Sequence, residues 1–365
     1  MNSGPVAEAL IYSRDGIAGT WAPLPSPVIA QHALDDPNNL QRWEPWVRAS
    51  IVDFELLSNL HFFPDTTVAG KMKLKHLDVA TPSFQDLVTM TRPTDAIFES
   101  QMSFVNSYAD LRADRAAEIM TQLGGAVAFM TSIAFLSPSR TPFTYELIAA
   151  AVRLANFTEM RFKHALAARR PHEYSPQIQP MILTPGHSSF PSGHATETFI
   201  TAVVLLKLLS AAAAAAAAAA TPFILPYADL KWGAQFMRLA SRVAINRTIA
   251  GVHFPVDTAA GALLGLTLGE YFVHRCKNDA AYEAYAFDGT KFPDGTTAVT
   301  LPPGDGDFYW LEFYDVATAK QVIPTAAGTA ATAYVTLLGG TQPLAVSATQ
   351  TILGWLWGKA LAEWT

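Results

Sequence analysis

The sequence predicts an all-α fold built around a helical bundle, on three observations. Six stretches, 95–108, 109–134, 143–168, 195–220, 228–249 and 256–274, carry good helix formers with apolar residues at three- and four-residue spacing. Half of the 365 residues are hydrophobic and only 15% are charged, enough apolar material for a large packed core. Strand patterning is confined to "FYWLEFYDV" (308–316), whose alternation suits one strand of a small hairpin.

In chain order, residues 1–80 are rich in Pro, Asn and Trp and read as an irregular, short-helical wrap. The helical domain follows over 81–278. A Gly-, Pro- and Thr-rich segment with the hairpin covers 279–345, and a last helix within 346–365 closes the chain. Its Trp355 and Trp357 suit packing against the chain's own core, the commoner outcome, or against a second subunit. No internal repeat is visible.

The net charge of −6 gives no overall attraction to nucleic acid, so any basic site must be local. Cys276 is the single cysteine, which excludes an intrachain disulfide and any Cys-rich zinc site. The opening "MNSGPVAEALIYSRDG" lacks a basic and then apolar leader, from which a cytoplasmic location is expected. Two stretches compete as membrane spans: 121–137, which is uncharged but barely long enough, and 198–226, interrupted by Lys207 and containing the low-complexity alanine run 211–220. The polarity of the first 120 residues and of 279–337 argues against a membrane protein.

Three segments carry chemistry. In "FPSGHATE", Pro191 and Ser192 mark a helix start with Ser192 as N-cap, and free amides at such an end form an anion site. Gly193 allows close backbone approach, and His194 sits in the first turn, able to exchange a proton near neutral pH. In "KHALAARRP", Lys163 and Arg170 are two helical turns apart and share a side, whereas Arg169 is expected to face solvent or a carboxylate. Pro171 ends that helix. In "NRTIAGVHFPVD", Asp257 stands four residues after His253, where it can hold one ring nitrogen and leave the other basic, with Arg247 close upstream. Each segment also has an ordinary reading: a capped helix with a surface histidine, a solvated basic face, and a buried histidine satisfied by an aspartate.

Together the three read Lys163-x6-Arg170-Pro171, Pro191-Ser192-Gly193-His194 and Arg247-x5-His253-x3-Asp257, a composite far more specific than its parts. It resembles the signature shared by type 2 phosphatidic acid phosphatases (PAP2), bacterial class A acid phosphatases and vanadium-dependent haloperoxidases. The likeness covers about a quarter of the chain. One departure is visible: Asn246 stands where the family usually has Ser before the third-block Arg, and a local change without loss of the site is expected, since Asn can still donate a hydrogen bond. Ser241-Arg242 lies too far from His253 to substitute.

The resemblance implies a helical bundle of the haloperoxidase and acid phosphatase type. It implies a tetrahedral oxyanion held by Lys163, Arg170 and Arg247, with Ser192 and the Gly193 amide adding hydrogen bonds, and His253 attacking or ligating its centre. In a haloperoxidase, vanadate sits covalently on His253, hydrogen peroxide binds the vanadium with His194 and Lys163 assisting, and halide is oxidised and passed to a small organic acceptor. In a phosphatase, His253 becomes a phosphohistidine while His194 protonates the leaving oxygen, with phosphate the competing oxyanion. The length and large N-terminal addition favour the haloperoxidase, with phosphomonoesterase as the alternative. His187, seven residues before His194, matches a histidine of algal bromoperoxidases and points to bromide or iodide; its ordinary reading is a loop histidine without contacts.

Overall fold

The computed structural model describes residues 4–25, 29, 32–219, 229–293, 306–324 and 333–365. The chain divides into two compact units, 1–42 and 43–365. The first holds helix α1 (Gly4–Ile17), exposed along its length, and a 3-10 turn at Pro37–Arg42 that carries the buried Leu40.

The second unit opens with α2 (Pro45–Leu57), which starts on Pro45, a residue whose fixed φ suits a first helical position. Three antiparallel strands follow, β1 (Leu60–Pro64), β2 (Lys71–Asp78) and β3 (Ser83–Thr91). Short helices α3 (Asp95–Ser100) and α4 (Met102–Tyr108) occupy the first predicted helix, which is divided at Gln101. The second predicted helix is also divided, into α5 (Arg112–Thr121) and α6 (Val127–Ala134), because Gly125 takes φ 101°, a conformation that suits glycine. The 121–137 candidate span is therefore no continuous helix.

The long helices come next: α7 (Pro142–Leu166), the single turn α8 (Pro171–Tyr174), α9 (Gly193–Ala218), α10 (Leu230–Ile249) and α11 (Pro255–Lys277). Predicted ends at residues 220 and 228 lie outside the described residues. Strand β4 (Ala281–Asp288) leaves α11 directly, and β5 (Tyr314–Asp315) pairs with β6 (Lys320–Gln321) in a two-residue hairpin. The alternating stretch 308–316 therefore yields one 3-10 turn and one short strand. Strand β7 (Val335–Pro343) and helix α12 (Ile352–Ala362) end the chain, with Trp355 and Trp357 buried within it.

The all-α expectation is corrected. The described residues are mixed, 57% helical and 13% strand, with a five-stranded sheet in the order β1-β2-β3-β4-β7. Its β3–β4 pair is parallel and joins Val88 to Tyr285, while the other pairs are antiparallel. The sheet packs on α11 through β3 and β4, where Val88, Met90, Ala284 and Phe287 are fully buried. "KMKLKHLD" in β2 alternates as a half-buried strand should, placing Leu74, His76 and Asp78 inward.

The bundle centres on α9, apolar on nearly every side as a core helix must be. Among the described residues it is the one helix long and apolar enough to cross a membrane, and 67% of its apolar window is buried inside the protein. Its tightest partner is α11, through Gly261, Gly265 and Gly269. A Cβ on these would stand 2.5 Å from Ser192 O, 2.4 Å from Thr196 O and 2.8 Å from Val203 Cβ. Three glycines at four-residue spacing let the two backbones touch, and that contact fixes where the first turns of α9 and α11 meet.

Candidate active site

Five helix ends converge on one spot. Helix α7 stops at Ala167, a left-handed residue, leaving Lys163 in its last turn. Arg170 is the N-cap of α8, Ser192 the N-cap of α9, and Arg247 lies in the last turn of α10. His253 and Asp257 flank the start of α11, whose first residue is Pro255. The Ser192 amide donates to the Asp257 carbonyl at 2.9 Å, tying the second segment to the third.

The His253 ring is buried, and its Nδ1 lies 3.0 Å from Asp257 Oδ2, the oxygen that also accepts the Phe254 amide. With Nδ1–H donating to the carboxylate, Nε2 keeps its lone pair, 3.4 Å from Arg170 Nη1. Burial first, then the charges of Arg170, Lys163, His194 and Arg247, hold His253 well below the usual histidine range, so the ring is neutral at neutral pH. Burial raises Asp257 to about 7 against the pull of the Phe254 amide and of Lys163 and Arg170.

All three cations are buried to 1% exposure. Lys163 Nζ donates to the carbonyls of Ser188, Ser189 and Pro191, and burial lowers it while the carboxylate of Glu159 opposes the shift. Arg170 is braced by the carbonyls of His187 at 2.9 Å and Val252 at 2.8 Å. Arg247 donates through Nη2 to Gln122 Oε1 at 2.9 Å, but its Nε and Nη1 are buried without a hydrogen-bond partner. Burial lowers it to about 10.

Ser192 is fully buried at an N-cap position, yet its hydroxyl makes no cap bond and has no partner of any kind. Three orphaned donor atoms on two buried side chains are unusual, since buried polar groups are normally paired. His194 Nε2 lies 3.2 Å from the Gln122 carbonyl, and burial with Arg247 brings the ring down to about 4. Gly193 has no room for a side chain: a Cβ would stand 2.5 Å from Glu159 Oε1.

The remaining candidates fall at the edge. The exposed His187 holds its Nδ1 3.3 Å from Arg170 Nη2, so it does touch the cluster from outside. An open, mostly polar cavity of about 400 Å³ lies there, lined by Arg169, Arg170, His172, Glu173, Thr184 and His187 among others. Arg169 is exposed and stacks over Tyr174. Asn246 donates to Gln122 Oε1 at 3.0 Å, so the same amide oxygen anchors both Asn246 and Arg247. Arg242 pairs with Glu118, whose carboxylate also accepts from Asn246. Gln122, Glu159, Glu197 and Ser189 are absent from the sequence reading. Glu159 was legible as a residue one turn before Lys163; Gln122 has no motif around it and is found only through the fold.

Converging helix ends, a His–Asp pair and three buried cations define a helical domain with a cationic pocket. Residues 145–280 match the PAP2 superfamily. It is similar to decaprenylphosphoryl-5-phosphoribose phosphatase of Mycobacterium tuberculosis, with 34% identity over 112 residues, 29% of this chain and 51% of that protein. The chain thus spans about half the length of the curated relatives it matches. Among solved structures, the transmembrane PAP2-type phosphatidylglycerolphosphate phosphatase of Bacillus subtilis aligns at 19% identity over 50% of this chain and 88% of its own, with a TM-score of 0.37.

Proposed function

We propose that the chain is a phosphomonoesterase acting through a phosphohistidine at His253. The observation that carries this is the set of orphaned donors, Ser192 Oγ and Arg247 Nε and Nη1, buried in the same cluster as a neutral histidine oriented by Asp257. Buried donor atoms without partners are costly, and a tetrahedral oxyanion would satisfy them. The donor set suits phosphate and vanadate alike. The curated relatives are phosphatases, which favours phosphate ester hydrolysis over the peroxide-dependent halide oxidation expected from chain length.

In this reading Lys163, Arg170 and Arg247 hold the non-bridging oxygens, joined by Ser192 Oγ and the Gly193 amide. His253 Nε2 attacks phosphorus, forming an N–P bond as the bond to the leaving oxygen breaks. His194 gives that oxygen its proton. Water then attacks phosphorus, His194 takes its proton, the N–P bond breaks and inorganic phosphate leaves. Cations and dipoles fixed in a dry site stabilise the charge that builds on the five-coordinate phosphorus. The polar cavity beside Arg170 and His187 suits a polar leaving group.

The test is one preparation assayed twice. Hydrolysis of nitrophenyl phosphate that orthovanadate inhibits, with no bromination of a dione reporter by peroxide and bromide, is the expected result. Saturable vanadate-dependent bromination with poor phosphate turnover would replace this reading with the haloperoxidase.

A further inference from the structure

Glu159 has no part in that scheme, yet it sits directly behind it. It is 1% exposed, one helical turn before Lys163 on α7, and its Oε1 occupies the space a side chain at Gly193 would need. Its Oε2 is buried with no hydrogen-bond partner, and no ion pair within 4.0 Å joins it to Lys163. The charged groups that act on it are Lys163 from its own helix and Glu197 from α9. Asp257 of α11 and Arg170 at the start of α8 act on Lys163 in turn.

Burial outweighs the pull of Lys163 and raises Glu159 to about 8, so in the free site its carboxyl is ionised only above about that pH, supported there by the positive charge ahead of it. An oxyanion entering the cradle adds negative charge on the far side of Lys163 and cancels that support. Two negative groups would then compete for one ammonium in a medium that screens poorly. Resting on the oxyanion reading above, we propose that Glu159 is a positioning residue that takes up a proton when a tetrahedral dianion binds, so that Lys163 meets the anion with its whole charge. The proton comes from solvent, and no bond other than the new O–H is made. Burial already raises Glu159, and Glu197 adds to the rise.

Tungstate, a tetrahedral dianion that does not titrate in the neutral range, is the probe. The infrared difference spectrum of the full chain with and without tungstate, at pH 8 to 9, should gain the C=O band of a protonated carboxyl and lose a carboxylate band. E159Q should bind tungstate and show neither change. Should E159Q fail to fold, E197Q and D257N that both keep the band assign it to Glu159 by elimination. Tungstate binding with no new band, or a band that survives in E159Q, overturns the proposal and leaves the oxyanion reading intact. No binding of tungstate by the wild-type chain overturns both.

Discussion

Gly261 of α11 lies against the backbone of Ser192, so close that a Cβ would come within 2.5 Å of the Ser192 carbonyl oxygen. The two residues set the distance between the cradle at the head of α9 and the His–Asp pair at the head of α11. Gly261→Ala must push the helices apart, since the atom it meets is backbone. The expected cost is about 1–3 kcal/mol, read from urea unfolding, together with loss of oxyanion binding. Gly358→Ala in α12, where a Cβ meets nothing, is the control and should be neutral or slightly stabilising. Equal behaviour of the two variants would mean that this contact does not set the site.

Asp257 serves two donors with one oxygen, the His253 ring and the Phe254 amide. Asn at this position can still accept one of them but carries no charge to hold Nδ1–H in place. Asp257→Asn should therefore fold, bind tungstate and lose roughly 10²- to 10⁴-fold in kcat on nitrophenyl phosphate, with less phosphohistidine trapped by rapid acid quench. Unchanged turnover would remove Asp257 from the proposed mechanism.

The three site segments were legible because each holds its residues within a dozen positions, and local spacing is what a sequence displays. Their assembly depends on glycine contacts between α9 and α11 and on Gln122, which no local pattern marks. The sheet was missed for a related reason. "KMKLKHLD" alternates plainly enough to be read as a strand, whereas "AYEAYAFD" in β4 is rich in helix formers and owes its conformation to pairing with β3, two hundred residues away. Helix signals are local and strand pairing is not, so composition alone leaned to an all-α fold.

Ser192 separates a capping role from a binding one. Replacing an N-cap serine that caps normally costs about 0.5–2 kcal/mol. Here the hydroxyl makes no cap bond, so Ser192→Ala should leave urea stability almost unchanged while weakening tungstate binding and lowering kcat/KM by tenfold or more. A stability loss in the capping range without an effect on binding would assign the hydroxyl to the helix.

The pH dependence follows from where the transferred proton resides. The proposed first step needs a neutral His253 and one proton for the leaving oxygen. His253 stays neutral far into acid, because burial and its cationic neighbours disfavour the imidazolium. The proton arrives on the phosphomonoester, whose second ionisation lies near ~6, or on His194, which burial lowers to about 4 in the free site. Above about pH 6 both carriers lose it, but Asp257, raised to about 7, gains the charge that orients His253 over the next unit, so kcat/KM should stay level to about pH 7 and then fall about tenfold per pH unit. A bound dianion favours the charged form of His194, so kcat should hold to higher pH than kcat/KM. His194→Ala should then cost roughly 10²- to 10⁴-fold on an alkyl phosphate and much less on nitrophenyl phosphate, whose leaving oxygen needs little help. A kcat/KM that rises with pH above about 7, or a His194 variant equally impaired on both esters, would show that the proton reaches the leaving oxygen by another route.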